Sequence, residues 1–419
     1  MILFLLSLFA LLAIGVPIFV SLGLSALLLW TLEQQFLDFV SIFQKLYIGV
    51  DSFTLMAVPF FMLAGEFMNT GGLSKRLVNF AQKILGWIPG GLGFTTIIAS
   101  MLIAAILGSA SASAAMVGMI MIPEMVKRGY NVGYSSALVA SAGAVGPIIP
   151  PSIPMIIFGV IAQQSIVKLF AAGYIPGIMM GLMFGIYNYM YAKKAGYPAE
   201  ERPTGREFYA AFKDAGLTLL LPVIIMGGIL GGVFTPTEAG VVAVVYAFFV
   251  GVLIYREIPL SEIPGVFVRA SKSSAMVLMV VTVASFLSWV LTMQRIPQSI
   301  TALILSQTDS AIVFLLVVNG IMIVLGMFLD AVSALTIMTP VLLPAALALQ
   351  VDPILFGVML TVNLSIGVLT PPVGLNLYVA ASIANIDIVR VTRSVMPFVG
   401  ILCAILVLMT FFPKMFLIL

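Results

Sequence analysis

Histidine is absent from this chain of 419 residues, and cysteine occurs once, as Cys403. The first absence excludes histidine proton relays, histidine metal sites and Ser-His catalysis. A single cysteine excludes a disulfide within the chain. Charged residues make up only 8% of the sequence, whereas soluble domains carry about 25%. The net charge of +3 is too small to indicate nucleic-acid binding.

Apolar residues dominate instead, at 62% of the chain, with a mean hydropathy of +1.21. A helix needs about 20 apolar residues to span a bilayer, and the chain has many runs of that length. We therefore predict an all-α, multi-pass protein of the lipid bilayer. The first run, 2–30, has no basic start and no small-residue cleavage site, so it is interpreted as a retained membrane segment. With Pro17 in its middle, it is compatible with one span or with two.

Two double-proline motifs lie 221 residues apart (367 − 146), at Gly146–Pro151 and at Gly367–Pro372. A proline inside a helix removes a backbone donor and frees a carbonyl one turn earlier. Paired interruptions in corresponding apolar segments are the best sequence indication of a transporter's binding site. We therefore predict two broken helices, over 133–164 and 353–386.

Basic residues orient the apolar segments, because cytoplasmic loops are enriched in lysine and arginine. The polar stretch 193–214 is basic and is predicted to be a cytoplasmic loop. Counting crossings outward from it leaves segment 92–126 with both ends in the cytoplasm and segment 310–350 with both ends outside. We predict two re-entrant hairpins that enter from opposite faces, as in an inverted-topology repeat. An amphipathic segment, 34–50, is predicted to lie at the membrane interface.

These assignments divide the chain into scaffold parts and two repeats. The predicted parts are N-terminal scaffold helices with the interfacial helix (1–70), the first repeat (71–192), the cytoplasmic loop (193–214), further scaffold helices (215–294), the second repeat (295–394) and a C-terminal helix (395–419).

The hairpin tips and the proline breaks contain the candidate ligands. The first tip alternates small residues and serines from Gly108 to Ser113, and the second places Asp330 at the position that corresponds to Ser109. A carboxylate inside a bilayer costs about 2.5–3.5 kcal/mol, so Asp330 is predicted to face a cavity. The serines are also compatible with simple helix packing. Arg295 is compatible with binding a carboxylate and with snorkelling to the membrane surface.

Carbonyl oxygens freed by breaks in membrane helices can coordinate Na⁺. The candidate sodium ligands, several of them through the main chain, are Ser109, Ser111, Gly146, Ile149 and Pro151 in the first repeat and Gly326, Gly367, Thr370 and Val373 in the second.

The breaks, the serine-rich tip and the stretch Phe234–Gly240 (Phe-Thr-Pro-Thr-Glu-Ala-Gly) together resemble the large membrane subunit of tripartite ATP-independent periplasmic (TRAP) transporters. The resemblance covers essentially the whole chain. It implies sodium-driven uptake of a small organic acid, such as sialic acid or a C4-dicarboxylate, across the bacterial inner membrane without ATP. The implied partners are a small four-helix membrane subunit and a periplasmic substrate-binding protein.

The same resemblance implies an elevator mechanism, in which a transport domain with both hairpins and both broken helices moves against a scaffold. It places sodium at the hairpin tips and assigns substrate binding to Asp330, Arg295 and Ser113. No organic cofactor is implied. The alternative is a stand-alone ion-coupled exchanger or antiporter of organic anions, against which the Thr-Pro-Thr-Glu-Ala run argues. An intramembrane protease is disfavoured because the chain has no Gly-x-Ser-x-Gly elbow and no pair of intramembrane aspartates.

Overall fold

The computed structural model describes residues 2–32 and 39–417, and the regular structure within those ranges is helical. Helices α1 (Ile2–Ala13) and α2 (Ile18–Leu32) replace the single run 2–30, and they pack against each other with Ser7 Oγ 3.0 Å from Ser25 Oγ. Helix α3 (Phe39–Val50) confirms a helix in the later part of segment 34–50. Positions 34–38 of that segment lie outside the described ranges.

The remaining helices follow in chain order as a series of long and short apolar elements. They are α4 (Ala57–Thr70), α5 (Leu73–Leu85), α6 (Gly91–Leu107), α7 (Ala110–Lys127), α8 (Val132–Ala144), α9 (Ile153–Ile161), α10 (Ile166–Ala195), α11 (Gly205–Leu230), α12 (Pro236–Phe248), α13 (Ile263–Met293), α14 (Ile296–Gln307), α15 (Ala311–Gly326), α16 (Ala331–Ala348), α17 (Pro353–Gly367), α18 (Leu375–Ala384) and α19 (Ile388–Phe411). Among the described residues, seven helical segments are long and apolar enough to cross a membrane. The chain is therefore an all-α, multi-pass membrane protein.

Two pairs of consecutive helices occupy the predicted hairpin segments, and two interruptions of helical geometry occupy the predicted breaks. Helices α6 and α7 form one hairpin, and α15 and α16 form the other. Their arms have 16 to 18 residues, close to the lower limit for a span, and α16 is one of the seven segments counted above. That these helix pairs are re-entrant therefore stays a prediction. The chain leaves helical geometry at 145–152, between α8 and α9, and at 368–374, between α17 and α18. From which membrane face each hairpin enters stays a prediction.

Two helices, α5 and α14, lie where the sequence reading assigns none. Leu73, Leu77 and Ala81 recur every fourth residue of α5 and are fully buried, while Arg76 and Lys83 occupy other faces. Helix α5 packs on α6 and α11, and α14 packs on α16. The charged residues of α5 concealed its apolar stripe, so the sequence did not predict this helix.

The stretch 193–214 is not a loop along its whole length, which corrects the predicted boundary. Helix α10 continues to Ala195, and α11 begins already at Gly205. Thr204 and Glu207 form a capping box that starts α11, with Thr204 N 2.8 Å from Glu207 Oε2. The non-helical part is therefore only 196–204.

The two repeats interlock at the centre of the molecule. Helix α18 of the second repeat packs against α7 and α8 of the first, and α9 of the first packs against α16 and α17 of the second. Outside this centre, α13 packs on α2, α3 and α4, and α4 packs on α12. The breaks and hairpin tips of both repeats are thereby brought together beside α4 and α13.

Candidate functional site: a cavity between the hairpin tips and the helix breaks

A cavity of about 340 Å³ lies where the two hairpin tips meet the two helix breaks. Its wall contains pairs of residues that lie 221 positions apart, one member from each repeat. These pairs are Ser109 and Asp330, Ala110 and Ala331, Ser111 and Val332, Pro147 and Val368, and Pro154 and Leu375. The sequence repeat therefore builds opposite walls of one cavity.

Four helix N-termini converge on this cavity. The first residues of α7, α9, α16 and α18, which are Ala110, Ile153, Ala331 and Leu375, all line it. A helix N-terminus carries about half a positive charge and unpaired N–H groups, so it attracts anions. Among the described lining residues, Asp330 is the one charged side chain. The positive partial charges in the described wall are therefore backbone N–H groups and not lysine or arginine side chains.

Asp330 caps helix α16 from the cavity wall. Its carboxylate accepts hydrogen bonds from Val332 N at 3.0 Å and Ser333 N at 3.3 Å, and a further one from the Ser333 hydroxyl. The residue is exposed, unlike most of its surroundings. Asp330 therefore caps helix α16 and places a negative charge beside the N-terminus of this helix.

The second hairpin meets the second break through two glycines. A Cβ placed on Gly367 would lie 2.5 Å from Gly326 Cα and 2.7 Å from Gly326 O, and a Cβ on Gly326 would lie 3.1 Å from Gly367 Cα. Real Cβ atoms do not approach backbone atoms as closely as 2.5 Å, so Gly367 has no room for a side chain. These two predicted sodium ligands are therefore in direct backbone contact.

Four of the predicted main-chain ligands have a carbonyl oxygen that accepts no hydrogen bond from the described residues. Within the described part of the chain, no donor reaches the carbonyl oxygens of Ile149, Pro151, Gly326 and Thr370. The tip of the first hairpin approaches one of them, since a Cβ on Gly108 would lie 3.3 Å from Pro151 O. Main-chain oxygens of this kind are strong acceptors that need a partner when buried. The sequence-predicted breaks thus supply oxygen atoms suited to a hard cation.

Two serines of the first tip belong to the cavity and a third does not. Ser109 caps α7, accepting from Ala112 N at 3.5 Å, and it lines the cavity together with Ser111. Ser113 is fully buried between the hairpin arms, where its hydroxyl is 3.4 Å from Ser100 O. The predicted contact of Ser113 with substrate has no support from this placement.

The other predicted ligands lie around the cavity at varying distances from its wall. Gly146 is buried in the first break, and Ile149 packs against α10, 2.8 Å from where a Cβ on Gly177 would be. Val373 is 39% exposed. Arg295 is exposed at the start of α14, in a left-handed conformation with φ of 54°, and does not line the cavity. The structure therefore does not bring Arg295 together with Asp330, and its binding of a carboxylate stays a prediction.

Some residues that line the cavity were not predicted from the sequence. Met62 on α4 and Ser273, Met276 and Val277 on α13 come from the scaffold and carry no motif. Asn376 also lines the cavity. A signal for it existed, because it is an amide in an otherwise apolar run four residues after the second double proline.

Interlocked repeats, broken helices and a central cavity define this chain as a membrane transport protein. Residues 5–415 match the family model described as "Tripartite ATP-independent periplasmic transporter, DctM component", and the chain belongs to that family, as its motifs indicated.

Two relatives and one solved structure show the extent of the likeness. The isethionate TRAP transporter permease protein DctMQ of Oleidesulfovibrio alaskensis is 42% identical, and the match covers 96% of this chain and 63% of that protein. The C4-dicarboxylate TRAP transporter large permease protein DctM of Rhodobacter capsulatus is 38% identical over 97% of this chain and 95% of its own length. The Alcanivorax borkumensis YdaH transporter has a similar fold, with a TM-score of 0.67 at 14% identity, covering 91% of this chain and 90% of that one.

Proposed function

We propose that the chain is the permease subunit for sodium-coupled uptake of a small organic acid across the bacterial inner membrane. The observation that carries the proposal is the convergence of four helix N-termini on one cavity without a lysine or arginine in its described wall. Such a cavity suits a carboxylate or sulfonate, whose charge the N–H groups and dipoles would stabilise. Relatives named for a C4-dicarboxylate and for isethionate support this class of substrate.

Sodium as the coupling ion is supported by the oxygen atoms at the breaks. At the second tip Gly326 contacts Gly367, and the carbonyls of Gly326 and Thr370 accept no hydrogen bond within the described part of the chain. Ile149 and Pro151 offer similar oxygens at the first break. The half-helix geometry matches the way broken membrane helices hold Na⁺ in other secondary transporters.

An elevator mechanism is supported by where the cavity lies. Its wall is made mostly of the two repeats but is closed on one side by Met62, Ser273 and Met276 of the scaffold. A movement of the hairpins and broken helices along α13 would change which scaffold residues close the cavity. The partners proposed from the family are a small membrane subunit and a periplasmic substrate-binding protein, and the fused DctMQ relative accords with the first of these.

Reconstitution tests this function directly. Proteoliposomes with the chain, its small subunit and its binding protein are expected to accumulate labelled organic acid only under an inward Na⁺ gradient. Uptake that ignores the gradient would contradict sodium coupling. Full-rate transport by the chain alone would favour the stand-alone exchanger instead.

Replacing Thr370 by alanine is expected to raise the Na⁺ concentration for half-maximal uptake several-fold. The Thr370 hydroxyl donates to Ile366 O at 2.8 Å, so its lone pairs stay available for a cation. Thr361→Ala is the matched control, because Thr361 makes the same bond, to Gly357 O at 2.9 Å, in the preceding helix. Equal Na⁺ curves for the two variants would remove the Thr370 side chain from the site.

A further inference from the structure

Asn376 presents an unusual combination of burial and incomplete hydrogen bonding. It is the second residue of α18, lines the central cavity and is 0% exposed. Its Nδ2 donates to Ala140 O in α8 of the other repeat, at 2.9 Å. Its Oδ1 is buried and has no partner among the described residues. A buried amide oxygen without a partner costs free energy, and buried polar atoms are usually hydrogen-bonded, to protein or to an ordered water.

The orientation of the amide is fixed by its neighbour. A backbone carbonyl can only accept, so the nitrogen of Asn376 must face Ala140 O, and the free atom must be the oxygen. This oxygen can accept a hydrogen bond or contact a cation, and it cannot donate. The corresponding position in the first repeat is Met155, which is buried and apolar. A residue of the cavity wall in the second repeat therefore carries a free acceptor that the first repeat does not duplicate.

The surroundings favour a neutral donor over a cation. The four helix N-termini at this cavity act against a cation, and the one carboxylate in the described wall, Asp330, is already paired with Val332 N, Ser333 N and the Ser333 hydroxyl. The main-chain oxygens of Gly326 and Thr370 that are proposed for Na⁺ are not in the cavity wall, whereas Asn376 is, together with the serine candidates Ser109 and Ser111 of the first repeat. Asp330, at the start of α16, also contributes a polar side chain to the wall, and it too is an acceptor. Asp330 already has its donors within α16, so a bound acid that has only a carboxylate would leave Asn376 Oδ1 alone without a donor.

We infer that Asn376 Oδ1 accepts a hydrogen bond from a hydroxyl group of the substrate, so that the permease selects hydroxylated acids over their deoxy analogues. This rests on the proposed function, since it assumes that the central cavity binds the transported acid. In this arrangement the helix N-termini hold the acid group, and Asn376 identifies the hydroxyl. A site built to pair a substrate hydroxyl rejects the analogue without it, because its own buried group is then left unpaired.

The test compares matched pairs of acids on the purified complex of the chain with its small membrane subunit. Malate with succinate, lactate with propionate, and glycolate with acetate each differ by one hydroxyl. Apparent dissociation constants are measured by ligand-induced thermal stabilisation, without the binding protein, so that its own selectivity does not enter. Wild-type complex is expected to prefer the hydroxylated member of the pair it binds by about tenfold.

Asn376→Leu is expected to remove that preference, and Asn376→Asp to keep it while weakening both members. The aspartate retains an acceptor oxygen but cannot donate to Ala140, so it separates the acceptor role from the contact between repeats. Any loss of positioning affects both acids of a pair equally and leaves their ratio unchanged. Asn363→Leu is the control: Asn363 is also buried with an unpartnered Oδ1, in α17, but does not line the cavity.

Three results would overturn the inference. One is a wild-type complex that binds both members of every pair alike. Another is an Asn376→Leu variant with an unchanged ratio. The third is an Asn376→Leu variant that changes only the Na⁺ dependence of uptake, which would make Asn376 a cation ligand. Failure of the wild-type complex to bind any acid, together with absent uptake in proteoliposomes, would count instead against the proposed function.

Discussion

Asp330→Ala is expected to abolish uptake, by a hundredfold or more, while the protein remains folded and inserted. The carboxylate lines the cavity beside Ala331 and Val332, at the start of one of the four converging helices. Its removal eliminates the one charged side chain in the described wall. The helix cap is also lost, but that costs only about 1 kcal/mol. Uptake in proteoliposomes and the elution profile of the purified variant measure the two effects separately.

Asp330→Ser separates charge from capping. Serine is as good an N-cap as aspartate, and it is the residue that the first repeat has at the corresponding position, Ser109. This variant should therefore be as stable as the wild type and equally inactive. Asp352→Ser is the matched control, since Asp352 caps α17 through Ile354 N and Leu355 N without lining the cavity. Wild-type uptake by Asp330→Ser would exclude a role for the carboxylate.

Gly367→Ala is expected to lower both the yield of folded protein and uptake by more than tenfold. The added methyl would lie 2.5 Å from Gly326 Cα and 2.7 Å from its oxygen. Overpacking against side chains typically costs 1–3 kcal/mol, and a backbone neighbour cannot rotate away. Relief requires the second hairpin to move off the break, which separates the oxygens proposed to bind Na⁺. Thermal unfolding of the purified protein with and without Na⁺ reports both consequences.

Two glycines of α15 provide comparisons for this prediction. A methyl on Gly326 would lie 3.1 Å from Gly367 Cα, so Gly326→Ala should be milder. Gly320 has open space around it, and alanine there should stabilise the helix by up to about 1 kcal/mol. If Gly367→Ala and Gly320→Ala have the same effect on yield and uptake, α15 and α17 are not in close contact at Gly367.

The proline and glycine signals predicted the centre of the fold well. Gly326, Gly367 and the two double prolines are positions at which backbone chemistry alone dictates a close contact or an interruption. Asp330 was predictable because an intramembrane carboxylate is costly wherever it lies. These features are local, so they can be read from the sequence without knowledge of their neighbours.

Other features depended on which elements meet. Helix α14 carries Pro297 and mixed polar residues, and only its packing against α16 explains its place. The scaffold residues Met276 and Val277 resemble any lipid-facing residues of α13 until the cavity is seen. Ser113 and Ser111 are two residues apart in one motif, and the turn of α7 alone decides that one lines the cavity and the other packs against α6.

The interlocking of the repeats has a consequence for biosynthesis. Helix α9 ends at Ile161, and its partner α16 ends at Ala348, so the ribosome adds 187 residues (348 − 161) before the pair can form. At about 5–20 residues per second, this takes roughly 10–40 s.

During this interval the first repeat resides in the bilayer without its partners. Helix α9 can wait there at little cost, because its buried residues are all apolar, from Ile153 to Gly159. The first repeat already carries Ser109, Ser111 and the N-termini of α7 and α9, but Asp330 and Asn376 arrive only with the last third of the chain. The cavity is therefore completed only when α18 meets α7 and α8.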